Sequence, residues 1–264
     1  FDPYRPRMQE LFRQLEDRPC EFITIQSHDG LMLSGRYYHI QDGAPLDIAF
    51  HGYRGCCLTD FCGGSMISID MGHNLILVDQ RAHGKSEGRT IGFGIRERLD
   101  CLCWVEYAME RFGRDVEIML YGISMGGATV LMASGLQLPK QVKGIVSDCA
   151  FTSPKEVFTH VLKNMYHMPA FPTMQLSNAI NLKQSGYGLD ECNAAREVKN
   201  AKVPILLIHG TGDTFVPCSM CETIYENIAS KKKMLLIEGA AHAECYYKDR
   251  MAYENALTEF IGGL

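Results

Sequence analysis

Apolar side chains first recur at intervals of three and four residues near the start of the chain. Within residues 4–17 the apolar positions are Met8, Leu11, Phe12 and Leu15, and the residues between them are mostly polar or charged. This spacing places the apolar side chains on one face of an α-helix. The pattern therefore predicts an amphipathic helix over this segment.

Two stretches that alternate apolar and polar side chains come next, over residues 21–26 and 31–40. A short polar segment that ends in Asp29-Gly30 separates them. An Asp-Gly pair between alternating segments is a strong signal for a tight hairpin turn. We therefore expect an antiparallel β-hairpin in the N-terminal part of the chain.

From residue 46 onward the pattern changes to short apolar runs, each followed by a glycine-containing turn and then by helical spacing. Apolar strands that alternate with helices indicate a parallel sheet covered by helices on both faces. In such sheets ligands bind beyond the carboxyl ends of the strands, so we expect the chemistry there. The predicted strands are residues 46–50, 75–78, 117–121, 144–147, 205–208 and 234–237, and the predicted helices are residues 59–71, 96–112, 125–136, 217–229 and 246–261.

Residues 152–200 interrupt this alternation. The segment is too long for a connection of one helix, and it carries several Met, Phe and Tyr side chains. Long connections inside compact domains are usually functional, and we interpret this one as helices inserted over the site. The expected organisation is a single α/β domain over residues 1–264 with a small helical cap at about residues 152–200.

Composition and charge narrow the possible partners. Hydrophobic residues make up 46% of the chain and charged residues 22%, the balance of a globular protein with a large core. The formal net charge is −5, and basic residues are scattered except for three lysines at residues 231–233. Nucleic-acid binding needs a clustered basic surface, so we expect no nucleic-acid partner.

The cysteines bear on compartment and metal content. There are eleven, an odd number, and many lie inside apolar runs, which is typical of reduced thiols and predicts a cytoplasmic protein. Cys218 and Cys221 form a lone CxxC pair, and a structural zinc site needs four ligands, so we expect no metal. No apolar run reaches the length of about 18 residues that suits a membrane span. The chain begins at Phe1 without an initiator methionine, so a removed N-terminal signal or anchor is the alternative.

A candidate nucleophile follows the predicted strand at residues 117–121. Residues 121–128 have the sequence Tyr-Gly-Ile-Ser-Met-Gly-Gly-Ala and lead into a helical run. In a Gly-x-Ser-x-Gly turn between strand and helix, the sharp bend lifts the serine hydroxyl clear of the sheet. This setting identifies Ser124 as the candidate nucleophile, with a purely structural glycine turn as the alternative.

A serine nucleophile needs a histidine base and a carboxylate that orients the histidine. His242 lies in the loop after the last predicted strand, and Asp213 lies on a glycine-containing turn after another. The chain order Ser, Asp, His is the one expected for this type of nucleophile turn. Asp148, at the end of the strand over residues 144–147, is the rival acid, and its alternative role is that of a buried structural carboxylate.

With these residues in place, the sequence resembles the α/β-hydrolase superfamily from about residue 20 onward. Within it, the chain is similar to the bacterial serine hydrolases related to prolyl oligopeptidase and dienelactone hydrolase. Residues 51–55, His-Gly-Tyr-Arg-Gly, match the HGxxG loop of these enzymes. Residues 79–86 match their D-x-R-G-x-G-x-S turn, with Ala82 in place of a common glycine.

The resemblance implies an α/β-hydrolase fold: a mostly parallel sheet with an N-terminal antiparallel hairpin, helices on both faces and a small helical cap. It also implies an oxyanion hole formed by the backbone N–H groups of Tyr53 and Met125. Such donors stabilise the negative charge that develops on the former carbonyl oxygen of a tetrahedral intermediate.

Residues and resemblance together predict hydrolysis of a small-molecule carboxylic ester through an acyl-enzyme, without metal or organic cofactor. The Met and aromatic side chains of the cap favour a small or medium hydrophobic acyl group. Met168 and Phe171 are the predicted pocket residues, with packing inside the cap as the alternative. Thioesterase and aminopeptidase activity stay open, the latter with Asp190 and Glu191 as candidate partners for an α-amino group. A non-catalytic binding module on the same fold is the rival from another class.

Overall fold

The computed structural model describes residues 2–264 of the chain. Each predicted strand is present, and no strand end differs from its predicted position by more than two residues. The strands are β1 (Glu21–Gln26), β2 (Met32–Tyr38), β3 (Leu46–Phe50), β4 (Asn74–Val78), β5 (Ile118–Ile123), β6 (Val142–Asp148), β7 (Ile205–Gly210) and β8 (Lys232–Ile237).

The strands of residues 2–264 form one eight-stranded sheet in the order β1-β2-β4-β3-β5-β6-β7-β8. β1 pairs antiparallel with β2, and β2 pairs antiparallel with β4. All other neighbouring strands are parallel. The hairpin predicted from Asp29-Gly30 is present, with Gln26 opposite Met32 beside the turn. This mostly parallel sheet with an antiparallel start confirms the predicted α/β-hydrolase fold.

Helices connect the parallel strands and extend the chain at both ends. None of those in residues 2–264 combines the length and apolar character needed to cross a bilayer. The helices are α1 (Arg5–Glu16), α2 (Cys57–Asp70), α3 (Glu97–Phe112), α4 (Met125–Ala133), α5 (Pro154–Asn164), α6 (Ala170–Ser185), α7 (Ala194–Glu197), α8 (Cys218–Asn227), α9 (Cys245–Lys248) and α10 (Arg250–Ile261).

The helices cover both faces of the sheet. Successive residues of a strand point to opposite faces, so Ile48 and Ala49 of β3 enter different cores. Ile48 belongs to the core formed with α3, α4 and α8, which contains the fully buried Trp104. Ala49 belongs to the core formed with α1, α2, α9 and α10, which contains Phe61 and Leu11. The predicted cover of helices on both faces is therefore observed.

The segment over residues 152–200 contains α5, α6, α7 and a short 3₁₀ turn (Val198–Asn200). Ser153 caps α5, because its side chain accepts a hydrogen bond from the backbone N–H of Glu156. Gly186 ends α6 in the left-handed conformation that glycine adopts without strain. Helical structure was the expectation for this segment.

The single helix predicted over residues 246–261 is wrong in one respect, because α9 and α10 are separate. Asp249 lies between them with φ −144° and ψ 81°, outside the helical region. Its carboxylate accepts a hydrogen bond from the backbone N–H of Ala252 at 3.0 Å. An aspartate that caps a new helix start competes with helix continuation, and here the cap forms.

Candidate active site

Ser124 occupies a sharp turn between β5 and α4. Its φ of 55° is rare for a residue with a side chain, which marks the position as strained. A Cβ on Gly122 would collide with the carbonyl oxygen of Gly126, and a Cβ on Gly126 would collide with that of Phe50. Both glycines are therefore required for this turn, which explains the Gly-x-Ser-x-Gly spacing.

The structure brings together the three residues that the sequence singled out. His242 Nε2 lies 2.9 Å from Ser124 Oγ, and His242 Nδ1 lies 2.6 Å from Asp213 Oδ2. The three residues follow β5, β7 and β8, so all of them lie at the carboxyl edge of the sheet. This is the edge at which parallel sheets present their ligand sites.

Asp213 is held in its ionised form by several donors. Oδ1 accepts the backbone N–H groups of Phe215 and Val216 at 2.9 and 2.8 Å. Oδ2 faces His242 at 2.6 Å and His209 Nε2 at 3.4 Å. Burial alone would raise the pKa of Asp213, but the hydrogen bonds from His209 and His242 hold it well below its ordinary value.

Asp148, the rival acid, lies at the end of β6 and is 4% exposed. Burial raises the pKa of Asp148 to about 6, a shift that the charge of His209 and the Tyr253 hydroxyl partly offset. Its Oδ1 atom lacks a hydrogen-bond partner among residues 2–264. The contact with the ring nitrogen of His242 is made by Asp213 and not by Asp148.

The loop after β3 is fixed beside Ser124. The carbonyl oxygen of Gly52 lies 2.7 Å from His51 Nδ1 and accepts the N–H of Gly55 at 3.1 Å. The backbone N–H of Gln80 donates to His51 Nε2 at 3.0 Å. Burial lowers the pKa of His51 to about 4, so the ring is neutral, and its single proton lies on Nδ1 and is donated to Gly52.

These contacts also set the direction of the next N–H group. The Gly52–Tyr53 peptide is trans, so the N–H of Tyr53 points away from the side on which the Gly52 carbonyl is held. A Cβ on Gly52 would lie 3.5 Å from Ser124 Cβ, which places this peptide next to the serine. Met125 is the first residue of α4 and directly follows Ser124. Helix N-termini leave their first N–H groups without partners inside the helix.

Asp60 is a site residue that the sequence analysis missed. It lies in the first turn of α2, and its Oδ2 accepts the backbone N–H of Gly52 at 2.8 Å. Burial raises the pKa of Asp60 to about 6, although the Gly52 hydrogen bond acts in the opposite direction. Acidic residues are common in the first turn of any helix, so no pattern in the sequence indicates that this one contacts the loop.

A cavity of about 680 Å³ opens onto Ser124 and His242. Its walls come from α1, α2, α9 and the loop at Gly52 and Tyr53. Sites for small organic ligands usually have volumes of about 300–1,000 Å³. The cavity therefore has the size of a small-molecule site.

The predicted pocket residues Met168 and Phe171 need correction, because neither lines this cavity. They are 44% and 73% exposed, respectively. The physical reason is that α1 packs on α2 beside the serine and supplies the wall expected from the cap. The segment over residues 152–200 approaches the site through α5 instead, where Phe158 packs edge-on against Phe93, which in turn contacts Tyr53.

One cluster in residues 2–264 has the spacing of a cation site. A nitrogen of His28 and carboxylate oxygens of Asp29 and Asp100 lie within 4.8 Å of one another. The guanidinium group of Arg81 already binds both carboxylates, at 3.0 and 2.6 Å. The single positive charge of Arg81 thus offsets part of the negative charge of the two carboxylates.

The chain is similar in sequence to curated bacterial proteins. The uncharacterized protein YqkD of Bacillus subtilis is 27% identical over 97% of this chain and 83% of its own length. The uncharacterized protein YfhR of Escherichia coli is 23% identical over 92% of this chain and 80% of its own length.

Solved structures share the fold. The esterase Pf2001 of Pyrococcus furiosus superposes with a TM-score of 0.76 at 21% identity, covering 95% of this chain and 94% of that one. Est1E of Butyrivibrio proteoclasticus, solved with bound ferulic acid, has a TM-score of 0.71 at 19% identity and covers 91% of this chain and 99% of that one. At these identities the likeness establishes the α/β-hydrolase fold.

The family profile is more specific. The profile described as the prolyl oligopeptidase family matches residues 93–261, well over half of the 264 residues. The matched segment contains Ser124, Asp213 and His242. With the fold and this match together, the chain is a serine hydrolase of the α/β-hydrolase fold, and it belongs to the prolyl oligopeptidase family.

Proposed function

We propose that the protein hydrolyses carboxylic esters, with Ser124 as nucleophile, His242 as general base and Asp213 as the acid that orients the histidine. The observation that carries this proposal is the unbroken hydrogen-bonded chain from Ser124 Oγ through His242 to Asp213. It lies at the wall of a cavity of small-molecule size. A hydroxyl becomes an effective nucleophile when an oriented histidine accepts its proton.

The reaction runs in two steps. Ser124 Oγ attacks the ester carbonyl carbon while its proton passes to His242 Nε2, which gives a tetrahedral intermediate. The intermediate expels the alkoxide, which takes that proton from His242 and leaves as the alcohol. Water then attacks the acyl-serine, again losing a proton to His242, and the acid is released as Ser124 recovers its proton. The ionised Asp213 stabilises the imidazolium formed in each step.

The oxyanion of the intermediate is assigned to the backbone N–H groups of Tyr53 and Met125. The hydrogen bonds that hold the Gly52 carbonyl support this assignment, because they fix the Gly52–Tyr53 peptide with the N–H of Tyr53 directed away from that carbonyl. The position of Met125 at the N-terminus of α4 supports the second donor. Fixed donors of this kind stabilise developing charge more effectively than water does.

Esters are favoured as substrates for two reasons. Apolar side chains form much of the cavity wall, including Met8, Phe12 and Phe215, which suits an uncharged small molecule. Pf2001, which has the same fold, is named as an esterase. Neither observation indicates a charged or polymeric substrate.

A peptidase is the second candidate, because the matching family is named for an oligopeptidase. An aminopeptidase needs an acidic group that binds the substrate α-amino group. Asp190, one of the candidates from the sequence, contacts Lys155 and Arg196 at 3.2 and 3.3 Å. Neither Asp190 nor Glu191, the other candidate, lines the cavity that contains Ser124, so the ester hydrolase is preferred.

The thiols favour a reducing compartment. All eleven cysteines are free, including exposed Cys56 beside buried Cys57. Such residues persist as thiols in a cytoplasm, which we propose as the location of the protein.

Turnover of p-nitrophenyl acetate by Ser124→Ala tests the proposed function. We expect kcat to fall by about 10⁴-fold or more, since the nucleophile is lost. Ser219→Ala, an exposed serine of α8, is the matched control and should keep wild-type turnover. A Ser124→Ala protein that retained a tenth of the activity would contradict the proposal.

A further inference from the structure

The N-terminal helix α1 uses its apolar stripe in two ways. Leu11 and Leu15 are fully buried and pack into the core shared with α2. Met8 and Phe12 are only half-buried, and both line the cavity that contains Ser124. Residues four apart on a helix lie on the same face, so Met8 and Phe12 form one continuous apolar surface.

The helix is attached to other residues that line this cavity. Tyr4, which precedes α1, stacks on Tyr247 with ring centroids 5.7 Å apart. Tyr247 of α9 and Thr59 of α2 also line the cavity. The wall at α1 is therefore attached to the rest of the protein at its start by this stacking and along its length by the buried leucines.

Charged side chains of α1 lie at the rim and not in the interior. Arg5, Arg13 and Glu16 line the same cavity, but all three are exposed to solvent. Arg5 is already paired with Asp2 at 2.6 Å. The two apolar side chains are thus the half-buried contribution of α1 to the cavity that contains Ser124.

We propose that Met8 and Phe12 bind an uncharged hydrocarbon arm of the ester and set the chain length that the enzyme accepts. This inference rests on the proposed function, since it concerns the substrate of the same serine. It assigns substrate selection to α1 and not to the segment over residues 152–200. The arm is either the acyl chain or the alkyl chain of the alcohol. The cavity wall includes both Tyr53, whose N–H is a proposed oxyanion donor, and His242, which would return the proton to the leaving alcohol.

The test compares kcat/KM for short and long esters in two series. The acyl series is p-nitrophenyl acetate, butyrate and octanoate, and the alcohol series is ethyl, butyl and octyl acetate. In Met8→Trp the larger side chain shortens the cavity. The ratio of kcat/KM for the eight-carbon ester to that for the two-carbon ester should therefore fall in one series by about tenfold or more. Phe12→Ala lengthens the cavity, and the same ratio should rise. The series that responds identifies the arm that α1 binds.

Met251→Trp is the matched control, because Met251 lies on α10 and is 72% exposed. It should leave the ratio of every series unchanged. Ratios that stay within twofold in both Met8→Trp and Phe12→Ala would overturn the inference, and so would a larger change in Phe171→Ala. A wild-type protein that hydrolyses none of the esters contradicts the proposed function instead, so the two failures are distinguishable.

Discussion

Asp213 and Asp148 are two carboxyl groups with different hydrogen-bonding environments. Both lie at the carboxyl edge of the sheet and both are nearly inaccessible to solvent. Asp213 receives two backbone N–H groups and the ring of His242, which favour the ionised form. Asp148 receives too few donors to offset its burial, which favours the protonated form. The two environments support the proposal that Asp213 is the orienting acid and that Asp148 is a structural carboxyl.

Asp213→Asn tests the assignment of the acid. The Asn side chain can still accept the N–H groups of Phe215 and Val216, but its amide would face His242 and favour the wrong imidazole tautomer. The same change in a serine protease lowers kcat by about 10⁴-fold, and we expect a loss of similar size. Ester turnover and thermal midpoint should be measured together. A kcat within tenfold of wild type would show that Asp213 is not the orienting acid.

Asp148→Asn should act on stability instead, with a definite dependence on pH. The pKa of Asp148 is about 6 in the folded state, against about 3.9 for an aspartate in an unfolded chain. The folded state therefore binds the proton more tightly, and the stability gained from this carboxyl is complete below pH 4 and lost as the pH rises through 6. The loss is of the order of 3 kcal/mol, and the Asn side chain does not undergo it.

Urea unfolding between pH 4 and pH 7.5 measures this effect. The stability of Asp148→Asn relative to wild type should increase with pH across this window. Parallel curves for the two proteins would contradict the raised pKa.

The turn between β5 and α4 determines where Ser124, the proposed nucleophile, lies, and glycine determines whether the turn can form. A Cβ on Gly126 would collide with the carbonyl oxygens of Phe50 and His51, so α4 meets the end of β3 with no space for a side chain between them. A side chain at this position would push α4 away from the loop that carries Gly52 and Tyr53. Strain at Ser124 is tolerated because close packing on both sides leaves no alternative.

Gly126→Ala should lower stability by about 1–3 kcal/mol or more, because the added methyl group has no space. Ester turnover should fall with it, since α4 carries the N–H of Met125. Gly64→Ala is the matched control: Gly64 lies inside α2, and a Cβ there would make its nearest contact at an ordinary 3.7 Å. Alanine is the better helix residue, so the control should gain about 0.5–1 kcal/mol. Equal thermal midpoints for the two variants would contradict the packing described for the turn.

Among the helices and strands, the elements that depend on local chemistry were predicted from local sequence signals. Apolar runs predicted the strands, and Asp29-Gly30 predicted the hairpin, because each depends on a few neighbouring residues. The division between α9 and α10 was not predicted. The residues around Asp249 are compatible with a continuous helix, and the break depends on whether the Asp249 carboxylate caps a new helix start, as it does through the N–H of Ala252.

Across the whole molecule, Arg81 links parts of the chain that are distant in sequence. It binds Asp100 of α3 through two bonds of 2.6 Å and Asp29 of the β1–β2 turn at 3.0 Å. The guanidinium of Arg81 and the carboxylate of Asp100 are 6% and 4% exposed. Burial opposes the charge on Asp100, and the hydrogen bond from Arg81 favours it, so the ionised carboxylate depends on its contact with Arg81.

Arg81→Met should lower the free energy of unfolding by about 3–5 kcal/mol, because it leaves a buried carboxylate without its partner. Arg250→Met is the control, since Arg250 pairs with Glu254 on the surface and such pairs contribute about 0–1 kcal/mol. Urea denaturation of both variants gives the comparison. Similar small losses in the two proteins would show that the buried network does not stabilise the fold.

The site was predicted from sequence only as far as its parts follow strand ends. Ser124, Asp213 and His242 each lie in a turn directly after a strand, and a parallel sheet brings such turns to one edge. The cavity wall was not predictable in this way. Met8 and Phe12 reach it because α1 folds back onto α2, whereas Met168 and Phe171 stay exposed. Both results depend on tertiary packing, which the pattern of residues along the chain does not indicate.

The most direct test of the account is the position of the activated serine. The wild-type protein would be treated with a fluorophosphonate, digested, and analysed by mass spectrometry to locate the adduct. We expect a single adduct on Ser124, and none in Ser124→Ala under the same conditions. An adduct on another residue, or equal labelling of Ser124→Ala, would contradict it.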